Sequence, residues 1–215
     1  MTRAAGPRGG WLAVASAVAL AVAGPTSYAD PAPDGALVAP VQALNDALIV
    51  AMRSADSSSF VARYQALAPV IERVFNLDDV LSASVGLAWP TIPASQKAEL
   101  TAAFRRYTVA SYVDNFNSYA GQSFVVLPQT RAIGPGEVVV QTQIIRTGKS
   151  PVNLDYVMRS NGAGWQVVDV LTDGTISRVA VQRSDFRQLL ESGGVPALTA
   201  GLDRKFENLS GSMTD

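Results

Sequence analysis

The sequence predicts an α+β domain in which helices cover the concave face of a small antiparallel sheet. Through the first half of the chain, apolar residues recur at helical spacing. After Gly121 the pattern changes to four short segments rich in Val, Ile and aromatic residues, separated by turns that contain Gly or Pro. Because such short connections join antiparallel neighbours, the segments predict a four-stranded meander.

The N-terminus has the pattern of a secretory signal peptide over residues 1–29. Arg3 and Arg8 precede an uncharged apolar run, Trp11 to Ala23, and small residues follow it. We expect cleavage after Ala29, with Ala23 as the second choice. An uncut membrane anchor is the alternative, but the run has 13 residues, whereas spanning a bilayer takes about 20.

The rest of the chain is predicted to form a single domain over residues 41–210. Residues 30–40, rich in Pro, Gly and Ala, are expected to be a flexible lead, and residues 211–215 a disordered tail. The predicted helices cover residues 40–53, 60–74, 77–86, 95–119, 177–192 and 195–209, with a kink or restart at Pro69. The predicted strands cover residues 124–127, 137–146, 152–159 and 165–171.

Composition excludes several function classes. The chain has no His and no Cys, so Ser-His-Asp, Cys-His and zinc sites cannot form and disulfides are absent. Removal of Arg3 and Arg8 with the signal peptide takes the net charge from −1 to −3. This balance argues against a nucleic-acid partner, which requires basic patches.

Carboxylate chemistry stays formally open. Asp155, Asp169 and Asp173 lie on or beside neighbouring predicted strands, and a small hydrolase using such carboxylates is one hypothesis. Their spacing matches no calcium loop, and Asp-Gly is a common turn dipeptide, so turn, cap and ion-pair roles are the alternative. Ser95 and Lys97 are one residue closer than a helical serine-lysine dyad requires, and a helix start explains Ser95.

The predicted fourth helix carries an aromatic stripe. Phe104, Tyr107, Tyr112, Phe116 and Tyr119 follow one another at roughly helical spacing. Such a stripe fits a filled core, and it equally fits the wall of a ligand cavity, which needs the same residues with a gap between them. The sequence does not distinguish the two.

The order of features over nearly the whole mature chain, a helical first half followed by a series of motifs, resembles the MlaC (toluene-tolerance) family of periplasmic lipid-binding proteins. The motifs are Tyr156 with Met158, Trp165, Asp169-Val170, Asp173-Gly174 with Ser177, Arg183 with Phe186, and Gly193-Gly194 with Leu198. The corner Asp-Gly-Thr-Ile-Ser is one residue longer than the usual family pattern. That variant, the following VAVQRSDF and the upstream FRRYTVASYVDNF are similar to the hopanoid-associated HpnM branch.

The resemblance implies a non-catalytic periplasmic carrier without cofactor or metal. It would hold lipid tails in an apolar cavity between helices and sheet, and pass lipid between the inner and outer membranes. The implied cargo is a hopanoid or a phospholipid. The implied partners are an inner-membrane lipid transporter, of RND or ABC type, and an outer-membrane complex. A binding or scaffold protein with a filled core is the alternative.

Residues expected to line the cavity come from apolar periodicity on elements that should face one another. The expected lining residues are Phe75, Val85, Trp89, Phe104, Tyr107, Tyr112, Phe116, Leu154, Tyr156, Met158 and Val179.

Overall fold

The computed structural model describes residues 34–211. The predicted signal peptide, its cleavage site after Ala29, residues 30–33 of the predicted lead and residues 212–215 of the predicted tail lie outside the described residues. The domain bounds 41–210 stay a prediction.

The described chain runs through four α-helices, a meander of β-strands and a long interrupted helix. The helices are α1 (Gly35–Arg53), α2 (Phe60–Val74), α3 (Leu77–Val85), α4 (Ala94–Asn115) and α5 (Arg178–Gly211), with a 3-10 segment over Gly86–Thr91. The strands are β1 (Ser123–Gly134), β2 (Glu137–Arg146), β3 (Lys149–Ser160), β4 (Trp165–Thr172) and β5 (Ile176–Ser177). The α+β class and the antiparallel meander are confirmed.

Helix α1 begins at Gly35, inside the segment that the sequence predicts to be a flexible lead. The Asp34 side chain caps the helix by accepting from the Ala36 N–H at 3.0 Å. Leu37 and Val38 are buried in the core. Capping and burial therefore outweigh the Pro- and Gly-rich composition on which the flexible lead was predicted.

Two helix predictions differ from the structure for local reasons. Helix α2 runs through Pro69 as one helix, so the chain does not restart there, and Pro69 lies on its exposed side. Helix α4 ends at Asn115, four residues before the predicted end at Tyr119. Phe116 leaves the helical conformation there and packs against Phe124 of β1, with ring centroids 6.0 Å apart.

The sheet has five strands in the order β1-β2-β3-β4-β5, one more than predicted. The extra strand, β5, has two residues and pairs with the end of β4. Asp173 and Gly174 both have positive φ, 53° and 73°, and their tight turn folds the chain back into this hairpin. Strand β1 is also longer than predicted, because it continues past a register shift between Val126 and Thr130.

Helix α5 consists of two halves, as the sequence predicts. Gly193 and Gly194 have non-helical backbone angles, and Gly194 has a φ of 66°, which favours glycine. The second half returns close to the first. A Cβ on Gly201 would lie 2.9 Å from Leu189 Cδ1, so glycine permits this approach.

The core lies between the helices and one face of the sheet. Tyr156, Met158 and Val170 are buried on that face, while Val139 and Val157 belong to a smaller cluster on the opposite face. Among the described residues, α1 is long and apolar enough to cross a bilayer by length and composition alone. Its residues Val41, Leu44 and Leu48 are completely buried in the protein, as in a core helix.

Candidate functional site

A cavity of about 750 Å³, partly open to solvent, lies between α4, α5 and strands β2 to β4. Ligand pockets in proteins typically measure about 300–1,000 Å³. The apolar and aromatic wall residues are Phe75, Leu77, Val80, Phe104, Tyr107, Tyr112, Phe116, Ile144, Val152, Leu154, Val170, Val179 and Leu209. The polar and charged ones are Thr108, Ser111, Asp114, Asn115, Arg146, Asp169, Thr172, Arg178, Gln182, Lys205 and Asn208.

Helix α4 supplies one wall of the cavity. Phe104, Tyr107, Thr108, Ser111 and Tyr112 follow one another at intervals of three, one, three and one residues, which is one face of an α-helix. Val109 and Ala110, which lie between Thr108 and Ser111, are buried in the core instead of lining the cavity. Helical periodicity therefore places Phe104, Tyr107 and Tyr112 of the aromatic stripe along the cavity. Tyr119, the last residue of the stripe, follows the end of α4 and lies outside the wall, beside Arg53.

Strands β2, β3 and β4 supply the opposite wall through cross-strand neighbours. Ile144 pairs with Val152, and Leu154 pairs with Thr172. Residues paired in this way point to the same face of the sheet. All four line the cavity.

Four aromatic rings form a continuous cluster at one side of the cavity. The Phe75 and Tyr112 centroids are 5.6 Å apart, and Tyr112 stacks on Phe116 at 5.9 Å. Phe116 contacts Phe124 in turn. Phe75 is held by a backbone bridge to Val167 of β4, so this cluster ties α2 and α4 to the sheet. The wall at this side is thus apolar and aromatic.

The tyrosine hydroxyls of the interior remain protonated. Burial raises the pKa of Tyr112, and the charge of Arg178 only partly opposes this effect. Burial also raises the pKa of Tyr156 well above its usual value, with a smaller contribution from Tyr112. The Tyr156 hydroxyl has no hydrogen-bond partner among the described residues.

The carboxylates have structural roles. Asp169 accepts from the Val179 N–H at 3.0 Å and from the Ser177 hydroxyl, at the start of α5. Asp155 accepts from the Thr142 N–H at 3.2 Å. Within residues 34–211 there is no cluster of three or more acidic, His or Cys residues that could hold a metal ion. The arrangement thus favours the cap and turn roles over the hydrolase hypothesis.

Comparison with protein families identifies the chain. The family model described as MlaC protein matches residues 42–204, which is well over half of the sequence. The chain belongs to the MlaC family. The position of this MlaC chain in the HpnM branch stays a prediction.

The MlaC fold is also evident in a solved structure. A phospholipid-binding protein from Ralstonia solanacearum, determined in complex with a phospholipid, is similar to this chain with a TM-score of 0.69. The match covers 80% of this chain and 97% of the other, at 21% sequence identity. At this level of identity, the likeness shows a common fold.

Seven of the eleven residues predicted to line the cavity of this MlaC chain lie in its wall. They come from the end of α2, from α4 and the residue after it, from β3 and from the start of α5. These residues are Phe75, Phe104, Tyr107, Tyr112, Phe116, Leu154 and Val179. Their contact with lipid remains a prediction.

The other four predicted residues lie outside the wall. Tyr156 and Met158 share a sheet face with Leu154, but they are fully buried in the packed core. Val85 is buried at the end of α3. Trp89 sits in the 3-10 segment, where the Lys97 ammonium lies 5.2 Å from its ring centroid. Three of these side chains are therefore packed in the protein interior, and Trp89 contacts a lysine instead of the cavity.

The expected lining residues are all apolar or aromatic, so they omit the polar part of the wall. Thr108 and Ser111 lie on the same helical face as Phe104 and Tyr112, so their spacing was the signal. Lys205 precedes Leu209 by four positions in α5, so the two side chains lie on the same face of that helix. Arg146 at the end of β2 gave no such signal. Selecting only apolar residues for the wall excluded all of these.

Proposed function

We propose that this MlaC protein is a non-catalytic periplasmic lipid carrier that holds hydrocarbon chains in the cavity between α4, α5 and the sheet. The observation that supports it most is the cavity itself, about 750 Å³ within a wall dominated by apolar and aromatic side chains. Membership of the MlaC family and a shared fold with a phospholipid-binding protein support the same function.

The energetics of hydrocarbon transfer suit this role. Each buried CH₂ contributes about 0.8 kcal/mol, so a 16-carbon tail favours an apolar pocket over water by roughly 13 kcal/mol before ordering costs. A lipid therefore does not cross an aqueous compartment unaided at a useful rate. A carrier needs an apolar cavity with an opening, and it needs no catalytic group.

Transport between the membranes completes the proposal. MlaC proteins are periplasmic, and the predicted signal peptide over residues 1–29 would export this chain. We expect it to exchange lipid with an inner-membrane transporter of RND or ABC type and with an outer-membrane complex. The cargo is a phospholipid or a hopanoid.

The alternative of a scaffold protein with a filled core requires side chains to occupy the space between helices and sheet. The partly open cavity at that place favours the carrier.

A cavity-filling substitution tests the proposal. Val152 lies in the wall on β3, whereas Val181 is exposed on α5 outside the wall, so the two provide a matched pair. We expect Val152→Trp to reduce lipid uptake from vesicles at least tenfold, because the indole occupies the space of the tail. Val181→Trp is expected to leave uptake unchanged. Lipid recovered with each purified variant is quantified by mass spectrometry.

Two results would contradict the carrier. One is wild-type protein that is purified without lipid and takes none from vesicles. The other is uptake by folded Val152→Trp equal to that of Val181→Trp, with circular dichroism confirming that both variants are folded.

A further inference from the structure

We propose that three cationic residues of the cavity wall, Arg146, Arg178 and Lys205, bind the phosphate of a phospholipid headgroup. The inference rests on the proposed lipid-carrier function and deepens it, because it assigns the cargo to acidic lipids rather than to uncharged ones. It rests on the positions of these cations in the wall and on their forming no ion pair with a carboxylate of the described residues.

Arg178 and Lys205 lie on the two halves of α5. Both side chains are exposed to solvent and both line the cavity, which places them at its open side. The Lys205 ammonium lies 5.5 Å from the ring centroid of Tyr107, another wall residue. This cation–π contact holds the ammonium over the wall, where a headgroup would emerge from the cavity.

Arg146 reaches the cavity from the end of β2. Its Nη2 donates to the Ser150 carbonyl at 3.2 Å, while its Nε is buried and has no hydrogen-bond partner among the described residues. A guanidinium has five N–H donors, so this side chain retains donors for a ligand.

The carboxylates of the protein do not neutralise these cations. In the described part of the chain, the ion pairs are formed by Arg105, Arg106 and Arg159, and none of these three residues lines the cavity. Of the two acidic wall residues, Asp169 already caps α5. Asp114 forms no ion pair within residues 34–211. The three cationic side chains outnumber the two acidic ones, so the wall has a net positive charge.

The two parts of a lipid would thus be recognised by different parts of the wall. The apolar wall binds tails and provides most of the affinity, whereas the cations distinguish headgroups. Arg178 and Lys205 are solvent-exposed, so each contributes modestly and the headgroup can leave again. An uncharged hopanoid or a diacylglycerol gains nothing from them, whereas a phosphodiester does.

The test compares two lipids with identical tails, dipalmitoyl phosphatidylglycerol and dipalmitoylglycerol. Affinities of the delipidated full-length mature protein are measured by displacement of a fluorescent fatty acid. We expect the phosphatidylglycerol to bind about tenfold more tightly, which corresponds to about 1.4 kcal/mol. The ratio should shrink in high salt because screening weakens exposed charge pairs.

Charge-matched variants assign the effect to the wall. In Arg178→Gln/Lys205→Gln, which retains Arg146, we expect most of the preference for phosphatidylglycerol over dipalmitoylglycerol to be lost. The control, Arg187→Gln/Arg204→Gln, removes the same charge from exposed positions of α5 outside the wall, and it should retain the preference.

Each outcome has a distinct meaning. Equal wild-type affinities for the two lipids overturn headgroup recognition and leave the carrier function standing. A preference that is undiminished in the wall variant, or that is lost equally in the control, does the same. Binding of neither lipid overturns the carrier function and this inference with it.

Discussion

Removal of the Asp169 carboxylate is expected to destabilise the protein at the N-terminus of α5. Its oxygens accept from the Val179 N–H at 3.0 Å and from the Ser177 hydroxyl, and that hydroxyl accepts from the Ala180 N–H at 2.9 Å. Two of the helix's first amides are thus satisfied by one network. Asp169→Ala removes the charged member of this network.

The size of the effect follows from the contacts that are lost. Loss of a helix N-cap costs about 0.5–2 kcal/mol, and a hydrogen bond to a charged group contributes about 1.5–3 kcal/mol. Because these figures describe overlapping contacts, we expect Asp169→Ala to lower the free energy of unfolding by about 2–3 kcal/mol. For a domain of this size, that corresponds to a Tm lower by about 5–10 °C.

Urea and thermal unfolding followed by circular dichroism measure this loss. Asp169→Asn keeps one acceptor and should lose about half as much, whereas Asp185→Ala, exposed on the same helix, should lose less than about 0.5 kcal/mol. If Asp169→Ala were as stable as Asp185→Ala, the capping argument would fail. Lipid uptake by Asp169→Asn should persist, since the carboxylate has no catalytic role in a carrier.

Two further stability predictions follow from burial. Burial raises the pKa of Asp155. The hydrogen bond from the Thr142 N–H and the charge of Arg131 lower it, but they only partly offset the effect of burial. The ionised form is therefore disfavoured in the folded state, so Asp155→Asn should increase the free energy of unfolding at pH 7 and lose that gain as pH falls to about 3. An equal gain at both pH values would contradict this reasoning. Phe186 is 1% exposed, so Phe186→Ala should cost about 3–5 kcal/mol in urea unfolding, and a loss under about 1 kcal/mol would exclude it from the packed core.

Periodicity was sufficient to predict the faces of the elements that form the cavity. The stripe on α4 that contains Phe104 and Tyr112 lies along the cavity, and alternation in β3 placed Leu154 on the correct face of the sheet. Gly193 and Gly194 divide α5 as predicted, because the backbone angles of Gly194, φ 66° with ψ −158°, are strained for residues that carry a Cβ. Each of these features is encoded within a few neighbouring residues.

Position along an element was not predictable in the same way. Leu154, Tyr156 and Met158 alternate identically in the sequence, yet the cavity reaches only Leu154 while helices cover the other two. What separates them is the place where the helices diverge from the sheet, which depends on contacts between residues far apart in the chain. For the same reason, periodicity did not assign Lys205 and Arg146 to one cavity.

The cavity of about 750 Å³ connects lipid binding to the stability of the fold. A cavity left in a protein core costs free energy, because the atoms that line it lose packing contacts. Because this cavity opens to solvent, water can enter it, and the cost becomes that of an apolar wall in contact with water. A lipid tail removes that contact, so the surface that the fold leaves unpacked is the surface that drives binding.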